Sequence, residues 1–253
     1  MNNDVLYQMI FKRKSFHLFR CETFPITTGE IDNIYSVFNS IAPLDSSIKT
    51  KIKIVKAEDS GCKVGNEYTI MFYSETKGNY LTNIGYLGQI LDLYLVSKNI
   101  GTLWYGLGKA KEKKCNDLDF VIMMGIAKVS PDNFRKDMFR INRKPLEQIW
   151  NGDYLSISNI IRFAPSSCNN QPWTVENIDN CLNIYRNHKG RMYGVLPPKF
   201  SFFMTRIDMG IFLAFVETCL TYENISFEKE IYVDDKKVDK FLLAKYHLKI
   251  KEG

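Results

Sequence analysis

The apolar positions of this chain fall into three kinds of pattern, and each predicts a different element. Between Asn83 and Lys98, the residues Ile84, Leu87, Ile90, Leu91, Leu93, Tyr94, Leu95 and Val96 occupy almost the whole circumference of a helical wheel. A helix apolar on every side is buried or lies in an interface. The run DFVIMMGIAK at 119–128 is apolar without a break, as in a strand covered on both faces. By contrast, Lys49, Lys51, Lys53 and Lys56 interleave with Ile48, Ile52 and Ile54, the alternation of a strand with one solvated face. Strands are therefore predicted at about 50–57, 66–74 and 119–128, and a short helix at Asp4–Phe11. A second helix starts at Thr27, where Glu30 stands three residues on and completes a capping box. KFLLAKYHLKI at 240–250 is a strand or an arm.

The pattern recurs. Arg13-Lys14-Ser15 is echoed by Arg143-Lys144-Pro145, SIAP ending at Pro43 by RFAP ending at Pro165, and the apolar helix around Gly85 by RIDMGIFLAFVETCLTYENI around Gly210. Each glycine is followed 14 residues later by Asn-Ile, at Asn99 and Asn224. An ordered set of three echoes predicts two related units, about 1–142 and 143–253, in a pseudo-twofold arrangement with their apolar helices packed on each other. The polar segment 130–144 would cross between them.

Composition narrows the class. In 253 residues, 45% hydrophobic and 25% charged describe a globular chain. No apolar run approaches the roughly 20 residues of a membrane helix, and MNNDVLYQMIFKRK lacks the marks of a signal peptide, so a cytoplasmic protein without a membrane partner is expected. Six cysteines form no C-x-x-C pair and are expected as reduced thiols. His17, His188 and His247 lie far apart, so no metal site is expected. The formal charge of +6 is spread along the chain rather than gathered as nucleic-acid binding requires, and an acidic small ligand accounts for a local excess as well.

Three stretches carry candidate chemistry. FKRKSFHLF at 11–19 clusters Lys12, Arg13, Lys14, Ser15 and His17, a set that suits a phosphate or a solvated basic helix end. FAPSSCNNQPW at 163–173 offers Ser166, Ser167, Asn169 and Gln171 between Pro165 and Pro172. Those donors and acceptors suit the edge of a polar heterocycle, though the same residues make ordinary turns. NIGTLWYGLG at 99–108 combines glycines for close approach with Leu103, Trp104 and Tyr105 as a wall for a flat ligand. Within the second stretch, Cys168 has no histidine near it in sequence to activate it, and Trp173 reads as a core residue at a strand start.

Taken in order, these stretches resemble the FMN-dependent nitroreductase family. Arg13 to Phe19 is similar to its R-R-S-x-R-x-F element, with His17 standing where the family has its second arginine, and Ala164 to Trp173 matches A-P-S-x-x-N-x-Q-P-W. Asn99 to Gly106 is similar to G-L-G-T-x-W-x-G, and Arg143 to Gln148 to R-K-P-L-E-E. The resemblance implies an α+β, nitroreductase-like fold with a central mixed or antiparallel sheet flanked by helices. It also implies a flavin held where two subunits of a homodimer meet. Here the intact A-P-S loop follows Arg143, so the chain resembles a single-chain branch in which the second half replaces the partner and a monomer acts as a pseudo-dimer. Carried over, Arg13, Lys14, Ser15, His17 and Arg143 would hold the phosphate or pyrimidine edge. Pro165, Ser166, Ser167, Asn169 and Gln171 would approach from the second half, and Trp104, Tyr105 and Gly106 would wall the reactive nitrogen. APLDSS at 42–47 lacks the Asn and Gln-Pro-Trp, and ENISFEKE at 223–230 lacks the glycines, so one composite FMN site per chain is expected. The implied activity is hydride transfer from NAD(P)H through the flavin to a small acceptor such as a nitroaromatic or quinone, with no catalytic dyad. A flavin storage or sensing protein is the alternative.

Overall fold

The continuous apolar run at 119–128 becomes the central strand of a six-stranded sheet. The computed structural model describes residues 2–188, 197–234 and 238–249. They divide into two units, 1–80 with 87–139 and 81–86 with 140–253. The first unit contains α1 (Asn3–Lys12), β1 (Thr23–Phe24), α2 (Thr28–Ser40), β2 (Thr50–Lys56), β3 (Tyr68–Ser74), most of α3 (Tyr80–Ser97), β4 (Ile100–Tyr105), β5 (Lys114–Cys115) and β6 (Leu118–Val129). β6 pairs antiparallel with β1, β3, β4 and β5, and β2 closes the far edge against β3. With neighbours along both sides and Val121 to Met124, Ile126 and Ala127 buried, it has no solvated face to alternate. Edge strand β2 keeps its lysines on the open side, where they oppose further strand pairing. The capping box of α2 forms as expected: Glu30 N donates to Thr27 Oγ1 at 3.2 Å, and Thr27 N to Glu30 Oε2 at 2.9 Å.

In the second unit, β7 (Trp150–Gly152), α4 (Ser158–Ile161), β8 (Trp173–Ile178), β9 (Cys181–Asn187), α5 (Pro198–Tyr222), β10 (Ser226–Ile231) and β11 (Lys240–Lys249) follow in order. Its sheet runs β10-β11-β9-β8-β7, antiparallel except for the parallel β7–β8 pair. The segment left open as strand or arm is thus strand β11, and its last residue, Ile250, lies outside the described residues. The α+β class with helices flanking sheet holds, and the strands form two sheets, one in each unit. Short-range pairing sets part of the order within each sheet: Asn116-Asp117 and Asp179-Asn180 each adopt two successive positive φ angles and close two-residue hairpins, committing β5 to β6 and β8 to β9.

Within the second unit, residues 81–86 of α3 lie against α5. A Cβ added at Gly85 would lie 2.1 Å from the Ile207 carbonyl oxygen, and one at Gly210 would lie 1.9 Å from that of Thr82. Each glycine faces the carbonyl three residues before the other glycine. Only hydrogen side chains permit backbones this close. No helix among the described residues is long and apolar enough to cross a membrane.

Candidate functional site

Where α1 ends, the chain runs beside β4: Phe16 N donates to the Thr102 carbonyl at 3.0 Å, and Ser15 bridges Thr102 in parallel. This turns Arg13 inward, only 4% exposed. Its Nε donates to Asp92 Oδ2 at 2.6 Å and its Nη2 to Ser15 Oγ at 3.3 Å. Asp92, fully buried in α3, also accepts from Gln89 Nε2 at 3.2 Å and from Thr102 Oγ1 at 2.5 Å. Arg13 is therefore neutralised inside the unit, where it ties the motif to α3 and β4. Lys14 is half-buried, 4.7 Å from the centre of the Phe16 ring, and its Nζ donates to the Asn133 carbonyl at 2.5 Å. His17 is exposed.

Trp104, Tyr105 and Gly106 follow on β4 and the turn after it, all half-buried. Trp104 stacks on Phe72 with ring centres 5.6 Å apart, and a Cβ at Gly88 would come within 2.4 Å of the indole. Gly88 is thus the notch that receives Trp104. The indole N–H is buried with no acceptor among the described residues.

In the second unit, the loop after α4 bends sharply. Cys168, Asn169 and Gln171 hold φ of 50°, 54° and 49°, a left-handed conformation that costs about 1 kcal/mol or more per side-chain-bearing residue. A dense set of hydrogen bonds supports that strain. Arg143 Nη1 donates to Asn169 Oδ1 at 2.6 Å, Lys144 N to Gln171 Oε1 at 2.8 Å and Lys144 Nζ to the Gln171 carbonyl at 2.8 Å. Gln171 N donates to Ser166 Oγ at 2.9 Å, while Ser167 N and Oγ donate to Asp208 Oδ1 at 2.9 and 3.2 Å. The Arg-Lys echo at 143–144 therefore braces the loop, and the Gln171 side chain is spent inside it. Pro165 is buried, Ser166, Ser167 and Asn169 are half-buried, and Cys168 is exposed. Trp173 is core, stacked on Phe212 at 4.7 Å.

Residues 5–219 match the family model described as "Putative TM nitroreductase". The chain belongs to this nitroreductase family. The fold agrees with that of a "putative nitroreductase" from Thermotoga maritima MSB8, at a TM-score of 0.62 and 16% identity over 98% of this chain and 94% of that one. A nitroreductase with bound FMN from Desulfitobacterium hafniense DCB-2 aligns over 57% of this chain and 100% of its own, at 14% identity and a TM-score of 0.41. An oxidized iodotyrosine deiodinase bound to FMN and 3-iodo-L-tyrosine aligns over 55% and 95%, at 12% identity and 0.39. No curated protein matches the chain in sequence.

In this nitroreductase, Arg13, Lys14 and Ser15 are brought together in the first unit, and Arg143, Ser166, Asn169 and Gln171 in the second. Two acidic residues that order these groups, Asp92 and Asp208, escaped the sequence reading. Each is a carboxylate set in an apolar helix, in QILDLYL and RIDMGIF, and that anomaly was the available signal. Burial raises the Asp208 carboxyl to about 7 against the opposing effect of the Ser167 hydrogen bonds, and its Oδ2 has no partner among the described residues. The native state thus holds a proton that the unfolded chain releases near pH 4, so stability falls as pH rises from about 4 to 7 and stays lower above. Asp208→Asn is expected to remove that dependence, and urea denaturation across pH 5–8 measures it. Parallel pH profiles for the two proteins would contradict this assignment.

Proposed function

We propose that the chain is an FMN-dependent NAD(P)H oxidoreductase that binds one FMN and reduces a small acceptor such as a nitroaromatic or quinone. The reading rests on the braced A-P-S loop: strain held by that many hydrogen bonds is the mark of a preorganised binding element. Family membership supports the same conclusion. The donor chemistry suits the cofactor. A phosphate monoester or pyrimidine edge asks for cationic and hydroxyl donors, which Lys14, Ser15, His17 and Arg143 supply. Arg13 differs, since Asp92 already balances its charge, and its part in this proposal is to fix Ser15 and Lys14 in place.

FMN, when bound, supplies the hydride and electron transfer between reduced nicotinamide and acceptor. The chain's residues hold and orient it. Ser166, Ser167 and Asn169, with Pro165 stiffening the turn, present a fixed polar edge, which Gln171 holds through Lys144 and Ser166. Trp104, Tyr105 and Gly106 form an aromatic and glycine wall that excludes water from a flat ring and admits close backbone approach. Since the transferred electrons are the cofactor's, no acid, base or nucleophile is required of the protein.

Absorbance titration is expected to give one FMN per chain, and two per chain would sink the single-site reading. Anaerobic NADH or NADPH should bleach the bound flavin. Persistent yellow colour with both donors would favour a storage or sensing protein. Arg143→Ala is expected to weaken FMN binding tenfold or more, the loss of about 1.4 kcal/mol or more of charge-assisted bonding. Riboflavin separates its two roles: if Arg143 meets the phosphate, riboflavin affinity stays unchanged, and if it only braces Asn169, both affinities fall together. Unchanged affinity for both would remove Arg143 from the site.

A further inference from the structure

In the first unit, α1, the end of α3 and the turn at 131–136 surround a cleft of about 180 Å³. Met9, Val96, Pro131 and Phe134 give it apolar walls. Around them stand Lys12, Arg135 and Lys136 with a single carboxylate, Asp132, leaving an excess of two positive charges. Elsewhere lysines find acidic partners, as in Lys53–Glu112 at 2.7 Å and Lys128–Glu30 at 2.6 Å. Among the described residues, neither lysine of the cleft nor Arg135 takes part in an ion pair, and both lysines are exposed.

Arg135 is fixed rather than wandering. Its backbone N–H donates to the Lys12 carbonyl at 2.9 Å and its Nη1 to the Arg13 carbonyl. The rest of the guanidinium fork has no acceptor among the described residues. Burial, and next the positive charge of Arg13, lower its pKa to about 10, the behaviour of a cation held where no counter-ion relieves it. A pinned fork, two flanking ammonium groups and apolar walls form one recognition surface. None of the proposed flavin-binding residues lines it.

We propose that this cleft binds a small organic anion, a carboxylate or phosphate monoester on a flat apolar body. Arg135 takes two of its oxygens, Lys12 and Lys136 supply point charges, and Met9, Val96, Pro131 and Phe134 cover the body. The volume is below the 300 Å³ or so at which drug-sized pockets begin, which limits the body to about one ring.

The test is calorimetric titration of the full chain, flavin-free and FMN-loaded, with benzoate, phenyl phosphate and neutral benzamide at constant ionic strength. At least one anion is expected to bind in both forms, tenfold or more tighter than benzamide, and the preferred anion identifies the head group. Lys12→Gln/Lys136→Gln, confined to exposed side chains, should weaken anion binding tenfold or more while leaving FMN stoichiometry unchanged, and Arg135→Gln should weaken it further. The site is overturned if neither anion binds, if benzamide binds as tightly, or if the double lysine variant binds normally. It is equally overturned if FMN loading abolishes anion binding, because the anions would then occupy the flavin's phosphate donors.

Discussion

Gly210→Ala is expected to be among the most destabilising single substitutions in this nitroreductase, costing upwards of ~3 kcal/mol. On helix propensity alone the change would stabilise by about 1 kcal/mol. The new methyl, however, would lie 1.9 Å from the Thr82 carbonyl oxygen and 2.7 Å from the Tyr86 nitrogen, both backbone atoms of a buried helix with no rotamer to yield. Either the helices separate, opening space among buried neighbours such as Phe212 and Leu213, or α5 shifts and carries Asp208 away from Ser167. Gly85→Ala meets the same contact from the other side, 2.1 Å from the Ile207 carbonyl, and should cost a similar amount. Because one separation relieves both clashes, the double variant should lose much less than the sum of the singles. Gly29→Ala is the control: nothing lies within 4 Å of its added Cβ, and it should stabilise slightly. Urea denaturation of the four variants beside the parent decides the matter, and a Gly210→Ala protein as stable as the parent would show that the two helices are less tightly apposed.

That contact was legible in the sequence because helices apolar all round must find a partner, and both carry a glycine, Gly85 and Gly210, within the apolar run. β6 and the α2 cap were legible for a similar reason: a continuous apolar run and a Thr-x-x-Glu box act over a few residues. The strand character of β4 was not seen, since glycine and aromatic residues at 99–108 suggest a turn, and only pairing with β6 makes Ile100–Tyr105 extended. The hairpins closed by Asn116-Asp117 and Asp179-Asn180 carried weak signals, because neither contains the glycine that marks such turns most strongly. At the site, residue types were visible but their commitments were not. Gln171 looks like a free amide in sequence, and only the fold spends it on Lys144. Likewise nothing local joins Arg13 to a carboxylate 79 residues away.

That ion pair carries the second large effect. Asp92→Ala is expected to cost about 3–5 kcal/mol, because it leaves the Arg13 guanidinium buried without a counter-charge and strips Thr102 and Gln89 of their acceptor. Asp92→Asn, which keeps an oxygen for Thr102 but no charge, should fall between Asp92→Ala and the parent. Replacing both partners, as Arg13→Met with Asp92→Leu, should recover most of the loss, since two well-packed apolar side chains need no desolvated charges. A double variant no more stable than Asp92→Ala would show that packing, not the stranded charge, dominates. The same protein bears on the flavin proposal. If Arg13 acts only as a structural tie, and the apolar pair restores the packing that keeps Lys14 and Ser15 in place, the refolded double variant should bind FMN within about threefold of the parent, a difference of under ~0.7 kcal/mol. If Arg13 instead leaves Asp92 to grip the phosphate, FMN affinity should drop tenfold or more while riboflavin binding and stability stay unchanged. In that case the buried pair is a resting arrangement that cofactor binding breaks.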